Sequence, residues 1–455
     1  MNDKQELPLS RLLQLVSGTR LRAATSEDSS VLKATESDKG RIIHSAPFKR
    51  LQQKTQIFPL ETNAAVRSRL THSIEVAHIG RHLSQMVLDK LLKGSDFSWT
   101  YEQHKKMVAF SNTVENACLL HDIGNPAFGH FGEDAIKNWF TKNHPSVEGY
   151  EDFFCFDGNP QGFRLATYQS GFDEFGLNLT VSCILSTVKY PWTVNTKVAK
   201  GKVGLFCSSE DYYKKACEKL GWTAGKPFPL MLLMDTADDI ANAMGNLEDA
   251  MENGVIQFKN FGSLLPEDWD SNIHKSQKAA SDSAQFISFK TTVINKAVEI
   301  ASSTFVDNID KILTGDFEGK LLPDNGTDLS PLFQSIGEVG KNHIFNNRSV
   351  EEVELFGNAV FTGLLDNFGM LMEMNKEKFI QLIDDKVGRK NKNPFLLRLA
   401  NRISKDRRDK YLVENTGSND AQEKTARAHF IIDFISGMTD DFSVETYQIL
   451  QGIKF

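Results

Sequence analysis

The residues best placed to do chemistry surround His121-Asp122. An apolar run, Ala117-Cys118-Leu119-Leu120, leads into this pair, and Ile123-Gly124-Asn125-Pro126 follows it. Glycine stops a helix and proline enforces the stop. The spacing therefore predicts a helix end at which both side chains leave the packed face together. Adjacent imidazole and carboxylate groups offer one nitrogen and one oxygen donor to a divalent ion. Such dipeptides arise often by chance, so the pair needs partners. His72 follows Arg67-Ser68-Arg69-Leu70-Thr71 and opens an amphipathic pattern that Thr71 is suited to cap. Asp235, Asp238 and Asp239 lie in the apolar segment 229–252, where a carboxylate is costly unless it is paired or ligates a metal. Asp235 and Asp238 are three residues apart and share a face. Two histidines and two aspartates from three helices would make a site closed on the protein side, with positions open to water or phosphate. Spacing leaves open whether Asp238 or Asp239 points inward.

A second constellation follows directly, in Ala127-Phe128-Gly129-His130-Phe131-Gly132-Glu133. Glycines beside His130 allow a ligand close to the backbone. Glu133, three residues on, can hydrogen-bond the imidazole and favour its charged form, which suits proton transfer near neutral pH. The plainer reading is a turn into a helix that begins near Glu133.

Helices must position these groups. Ile74, Ile79, Leu83, Met86 and Val87 recur at helical spacing over 71–92, and Leu230, Leu233, Met234, Ala237, Ile240, Ala241, Met244 and Leu247 form one broad face over 229–252. Similar patterns cover 104–122, 286–314, 349–373 and 376–386. Strand-like alternation is short and rare, as around 203–207. The fold expected is all-α. Loop signals fall at 156–164, 318–331 and 414–420, and no repeat has a fixed period.

Composition sets the outer bounds. The chain has 455 residues, which at roughly 150 per domain suggests about three domains. Acids outnumber bases 59 to 52, giving a formal charge of −7. That excludes a globally basic nucleic-acid coat protein but leaves local basic patches open. Apolar residues at 40% and charged residues at 24% describe an ordinary globular chain. No window approaches the roughly 18 uncharged apolar residues of a membrane span, and the N-terminus lacks the apolar region of a secretory signal. Cys118, Cys155, Cys183, Cys207 and Cys217 contain no CxxC pair. They read as buried free thiols in a reducing compartment, the cytoplasm. Residues 386–410 carry ten Lys/Arg against two Asp, a solvated helical face or a contact for phosphates or nucleic acid.

The order His72…His121-Asp122…Asp238 resembles the signature of HD-domain phosphohydrolases. The flanking blocks narrow the likeness to bacterial deoxyguanosine triphosphate triphosphohydrolases. They are Arg41-Ile42-Ile43-His44-Ser45, residues 50–60, Arg69-Leu70-Thr71-His72-Ser73, the run from His121 to Glu133, Gly176-Leu177-Asn178-Leu179-Thr180, Lys189-Tyr190-Pro191-Trp192 and Ile435-Ser436-Gly437-Met438-Thr439-Asp440. The resemblance implies one elaborated helical domain over 1–455, not three. Within it, an HD core spans 65–250 and a helical C-terminal part, 251–455, packs on that core. It implies hydrolysis of a dNTP to a deoxynucleoside and intact triphosphate. His72, His121, Asp122 and Asp238 would bind a divalent metal, Mg²⁺ or Mn²⁺ first, with Fe²⁺, Ni²⁺, Co²⁺ or Zn²⁺ as alternatives. His130 and Glu133 would be the catalytic pair, Lys189 and Tyr190 would contact phosphates, and Gln56 and Arg69 would lie near nucleoside and triphosphate.

Two positions depart from the family pattern. Asn242 stands where the family usually has a tyrosine that packs on the sugar, and Asn246 where it usually has an aspartate near the 3′-hydroxyl. Both are expected to lie near substrate, with a relaxed or shifted substrate range as the consequence. The resemblance also implies a homo-oligomer, with a hexamer and single-stranded DNA binding as family options, and no membrane association. The competing expectations are another HD-type nucleotide phosphohydrolase and a weakly active relative that binds nucleotide or single-stranded DNA.

Overall fold

The computed structural model of the protein describes residues 7–22, 30–93, 99–145, 147–170, 175–196, 201–266, 281–386, 393–415 and 417–454. Among the described residues there is no β-strand; a lone bridge pairs Thr55 with Ser68. The helices used below are α1 (Val31–His44), α2 (Arg69–Leu92), α3 (Tyr101–Leu120), α4 (His130–Asn143), α5 (Gly158–Arg164), α6 (Pro229–Glu252), α7 (Asp282–Asp307), α8 (Arg348–Met372), α9 (Asp420–Ser436) and α10 (Asp440–Leu450).

Two apolar cores form. The first gathers α2, α3, α6 and α7, with buried Val76, Leu83, Phe110, Ala117, Leu233, Ala237 and Phe305. α2 runs against α3, α6 and α7, and α1 covers α3. Gly80 permits the close approach, since a Cβ there would lie 2.5 Å from Cys118 Sγ. The second core packs α4 and α9 on α8 through Phe140, Phe153, Phe361, Phe368 and Ile431. Leucine is the commonest residue of the first core and phenylalanine of the second.

Several expectations change. α2 is capped by Ser68, whose Oγ accepts the Thr71 amide, and Thr71 lies inside the first turn. Residues 158–164 are helix, not loop: Asp157 caps α5 by accepting the Asn159 amide. Proline is harmless there, because early helical N–H groups have no intrahelical partner. The alternating run near 203–207 finds no strand to pair with and instead buries Val203, Leu205 and Phe206. The pattern over 286–314 divides at Asn308 into α7 and the short helix Ile309–Thr314. α4 begins at His130 itself. The cysteines are free, with Cys118, Cys183 and Cys217 buried and Cys155 and Cys207 half-buried. Of the basic stretch 386–410, residues 387–392 lie outside the described residues. Within the remainder Arg408 is buried and paired with Asp385, so the segment is not simply a solvated face.

Candidate active site

Arg69 and His72 share a face of α2's first turn. His121 caps the C-terminus of α3, with Asp122 next to it, and Asp238 projects from the middle of α6. The structure thus selects Asp238 as the inward carboxylate; Asp239 turns away toward Lys320. Donor atoms of His72, His121 and Asp122 lie within 4.8 Å of one another. Asp238 Oδ1 is 3.1 Å from His72 Nε2 and 3.3 Å from His121 Nε2.

His121 Nδ1 lies 2.6 Å from the Cys118 carbonyl, to which it donates. A neutral ring then leaves its Nε2 lone pair 3.3 Å from Asp238 Oδ1, and that buried Nε2 has no hydrogen-bond partner. Two acceptors facing each other repel unless a proton or a metal ion lies between them. Burial disfavours the extra proton on His121, but the Asp238 and Asp122 charges outweigh burial and hold its pKa above the usual value. The same cluster is suited to a cation held by two imidazoles and two carboxylates. A locked tautomer of this kind is the usual companion of a metal-binding histidine.

Fixed positive charge surrounds the carboxylates. Arg69 donates to Asp122 Oδ2 at 2.8 Å, and Lys189 Nζ lies 2.7 Å from Asp238 Oδ2 and 2.9 Å from Asp235. Burial would raise the Asp122 carboxyl, yet Arg69 keeps it below its ordinary value. Lys189 likewise outweighs burial at Asp238 and holds it well below. His130 Nδ1 meets Glu133 Oε2 at 2.8 Å, and the Gly158 amide of α5 donates to Glu133 Oε1, also at 2.8 Å. The glutamate is thereby fixed at both oxygens while His130 stands exposed.

These groups line one cleft of about 450 Å³, a size that suits a small-molecule ligand. Gln56, Arg69, His72, His121, Asp122, His130, Glu133, Lys189, Asp238, Asn242 and Asn246 all border it. Tyr190 does not: its ring turns toward Trp192, with centroids 6.0 Å apart, so a direct phosphate contact from Tyr190 is not part of this geometry. The sequence reading missed Lys202, 3.2 Å from Asp157 and facing the His130 side, and an apolar rim of Phe131, Phe345, Val350 and Val353. Lys202 sits in no motif. Apart from Phe131, the rim belongs to residues beyond 340, where helical periodicity marks packing and gives no sign of a ligand.

Buried imidazoles and carboxylates from three helices, lining a cleft with fixed cations, define an HD-domain protein, and residues 69–159 match the HD domain family. That span holds His72, His121, Asp122, His130 and Glu133. Over nearly its whole length the chain is similar to proteins named deoxyguanosinetriphosphate triphosphohydrolase. The one from Yersinia enterocolitica serotype O:8 is 33% identical, covering 95% of this chain and 96% of the relative. That from Enterobacter sp. strain 638 is 33% identical over 93% and 95%, and that from Yersinia pestis strain Pestoides F is 32% identical over 95% and 96%. The chain belongs to the deoxyguanosinetriphosphate triphosphohydrolase family.

Proposed function

We propose that the protein hydrolyses dGTP and other deoxynucleoside triphosphates to a deoxynucleoside and inorganic triphosphate. The observation that carries this reading is the unpartnered His121 Nε2 close to the Asp238 carboxylate, in a cleft that also holds His130–Glu133. His72, His121, Asp122 and Asp238 hold the metal, Mg²⁺ or Mn²⁺ first. When bound, a divalent ion supplies positive charge for phosphoryl oxygens and lowers the pKa of a water ligand. Arg69, Lys189 and Lys202 bind the triphosphate, and their fixed charge favours the transition state without reorganisation. In the reaction the bond between the 5′-oxygen and the α-phosphorus breaks and a water oxygen joins phosphorus. A proton moves at His130 Nε2, the nitrogen that Glu133 leaves free. Gln56, Asn242 and Asn246 border the nucleoside, and the apolar rim suits a base.

Family membership supports a homo-oligomer in the cytoplasm, and exposed Leu355 and Phe356 on α8 offer apolar surface for self-association. No described helix is long and apolar enough to cross a membrane. The basic residues of 386–410 are the segment to examine for single-stranded DNA. A single domain is supported by contacts that join the two cores around the cleft.

Chromatography of products from the four dNTPs and GTP, each with several metals, tests the reading. Nucleoside plus triphosphate supports it. Orthophosphate or pyrophosphate would assign a different HD-type hydrolysis, and tight binding without release of nucleoside would assign a binding role.

A further inference from the structure

The metal-site residues stand on helices of the first core, whereas His130 and Glu133 stand on α4, which packs into the second. Something must set one against the other. Asp440, the first residue of α10, is 3% exposed and borders no part of the cleft. Its Oδ2 accepts the Thr55 amide at 3.0 Å and the Thr55 hydroxyl at 2.8 Å, and its Oδ1 accepts the Phe128 amide at 3.3 Å. Beside it, buried Lys54 donates from Nζ to the main-chain carbonyls of Asn125, at 2.5 Å, and Ser436, at 2.9 Å. The Lys54 carbonyl accepts the Arg69 amide at 2.8 Å. Three segments remote in sequence are pinned together: the turn before Gln56, the loop between Asp122 and His130, and the α9–α10 junction.

The loop needs such a hold. Phe128 lies two residues before His130 and has φ +58°, a conformation that a bulky side chain adopts only where its surroundings over-determine it. Its ring is caught edge-on by Phe356 and Phe361 of α8, and its amide is taken by Asp440. Both anchors come from the C-terminal part of the chain.

We infer that Asp440 is a positioning residue that acts through the Phe128 amide, with Lys54 beside it, to set His130 over the metal-site residues. The inference rests on the triphosphohydrolase reading. Asp440→Asn keeps the size but leaves one oxygen for three donors and turns an NH₂ toward an N–H. Displacement of a reacting group by about 1 Å can cost on the order of a hundredfold in rate. In the metal-loaded full-length enzyme, kcat should fall about ten- to a hundredfold, with KM changed less than about threefold. Metal content should match the parent protein. In a His130→Ala background the second substitution should cause no further loss, because the two act on one step. By hydrogen exchange, peptides covering 126–132 should exchange faster while those covering α3 stay unchanged.

Retained kcat, a fully additive double variant, or unchanged exchange over 126–132 would each overturn the inference. Should Asp440→Asn fail to fold, Thr55→Val removes one donor to the same carboxylate. A smaller loss of kcat that vanishes in the His130→Ala background supports the proposal; an additive loss overturns it. If the parent protein releases no triphosphate, the functional reading fails, while the exchange measurement still reports on Asp440 and its loop.

Discussion

Lys189 and Asp238 meet at 2.7 Å through Nζ and Oδ2, while the other oxygen of the same carboxylate faces His72 and His121. One carboxylate therefore serves a cation built into the chain and the proposed metal site. Lys189→Ala frees Asp238 of that competitor. Calorimetry with Mn²⁺ should show affinity equal to or tighter than the parent, while KM for dNTP rises about tenfold or more as a charge-assisted contact is lost. Weaker metal binding would contradict this arrangement.

Asp122→Ala and His130→Ala should separate metal binding from proton transfer. The first loses both bound metal and turnover. The second keeps its metal and slows by about 10²–10⁴-fold. Elemental analysis beside steady-state kinetics checks both, and full activity in His130→Ala would remove its assigned role.

Asn242 donates its amide to Asp238 Oδ1 at 2.7 Å. Its donor group is thus committed to Asp238, and no aromatic ring stands at 242 to close on a sugar. Several dNTPs should be hydrolysed with kcat/KM within about tenfold of one another, since a pocket without a committed polar contact discriminates weakly. Turnover of dGTP alone in the nucleotide panel would refute this.

Gly124, in the loop after Asp122, has no room for a side chain. A Cβ would lie 2.0 Å from the Gly158 carbonyl and 2.1 Å from the Gly162 amide, both backbone atoms of α5. Gly124→Ala must push α5 away and with it the Gly158 amide that holds Glu133. The expected loss is about 3 kcal/mol, read as a lower Tm, with activity reduced in whatever protein remains folded. An unchanged Tm would show that the loop and α5 are not in contact.

Asp433 on α9 takes a two-pronged ion pair from Arg164 of α5, with its oxygens 2.9–3.1 Å from the guanidinium. Burial pushes its carboxyl up, but Arg164 outweighs burial and brings it down to about 2. A depressed folded-state pKa contributes stability that is complete above the unfolded value near 4 and is lost as pH falls toward 2. Asp433→Asn should lower stability by about 3–5 kcal/mol at pH 7, because a buried partner is left unpaired. The deficit should shrink between about pH 4 and pH 2. Denaturant unfolding at several pH values measures it, and a pH-independent deficit would rule out the ion pair as its cause.

Much of the site was legible because its groups announce themselves. His121-Asp122 ends an apolar run at Gly and Pro, and the structure puts both at the end of α3. Asp238 and Asp239 could not be separated by spacing, since adjacent positions on a helix differ by about 100° and only packing decides which faces in. Ser68 displaced Thr71 as the cap because both residues satisfy the local rule and the chain uses the earlier one. Asp157-Gly158-Asn159-Pro160 reads as loop, yet the same residue types begin helices. Lys202, Phe345 and Val350 were invisible: they reach the cleft through tertiary folding, from positions where nothing local differs from ordinary surface or core.

His130 and Glu133 are wetted very unequally: the imidazole side chain is 74% exposed and its carboxylate partner 4%. A group so open to bulk water can be recharged by solvent between catalytic cycles, with no relay of buried side chains to feed it. Its anchor, out of reach of counter-ions, should hold with equal strength in dilute and concentrated salt. Under the role proposed for His130, the fold fixes where the proton is exchanged and leaves its resupply to the surrounding medium.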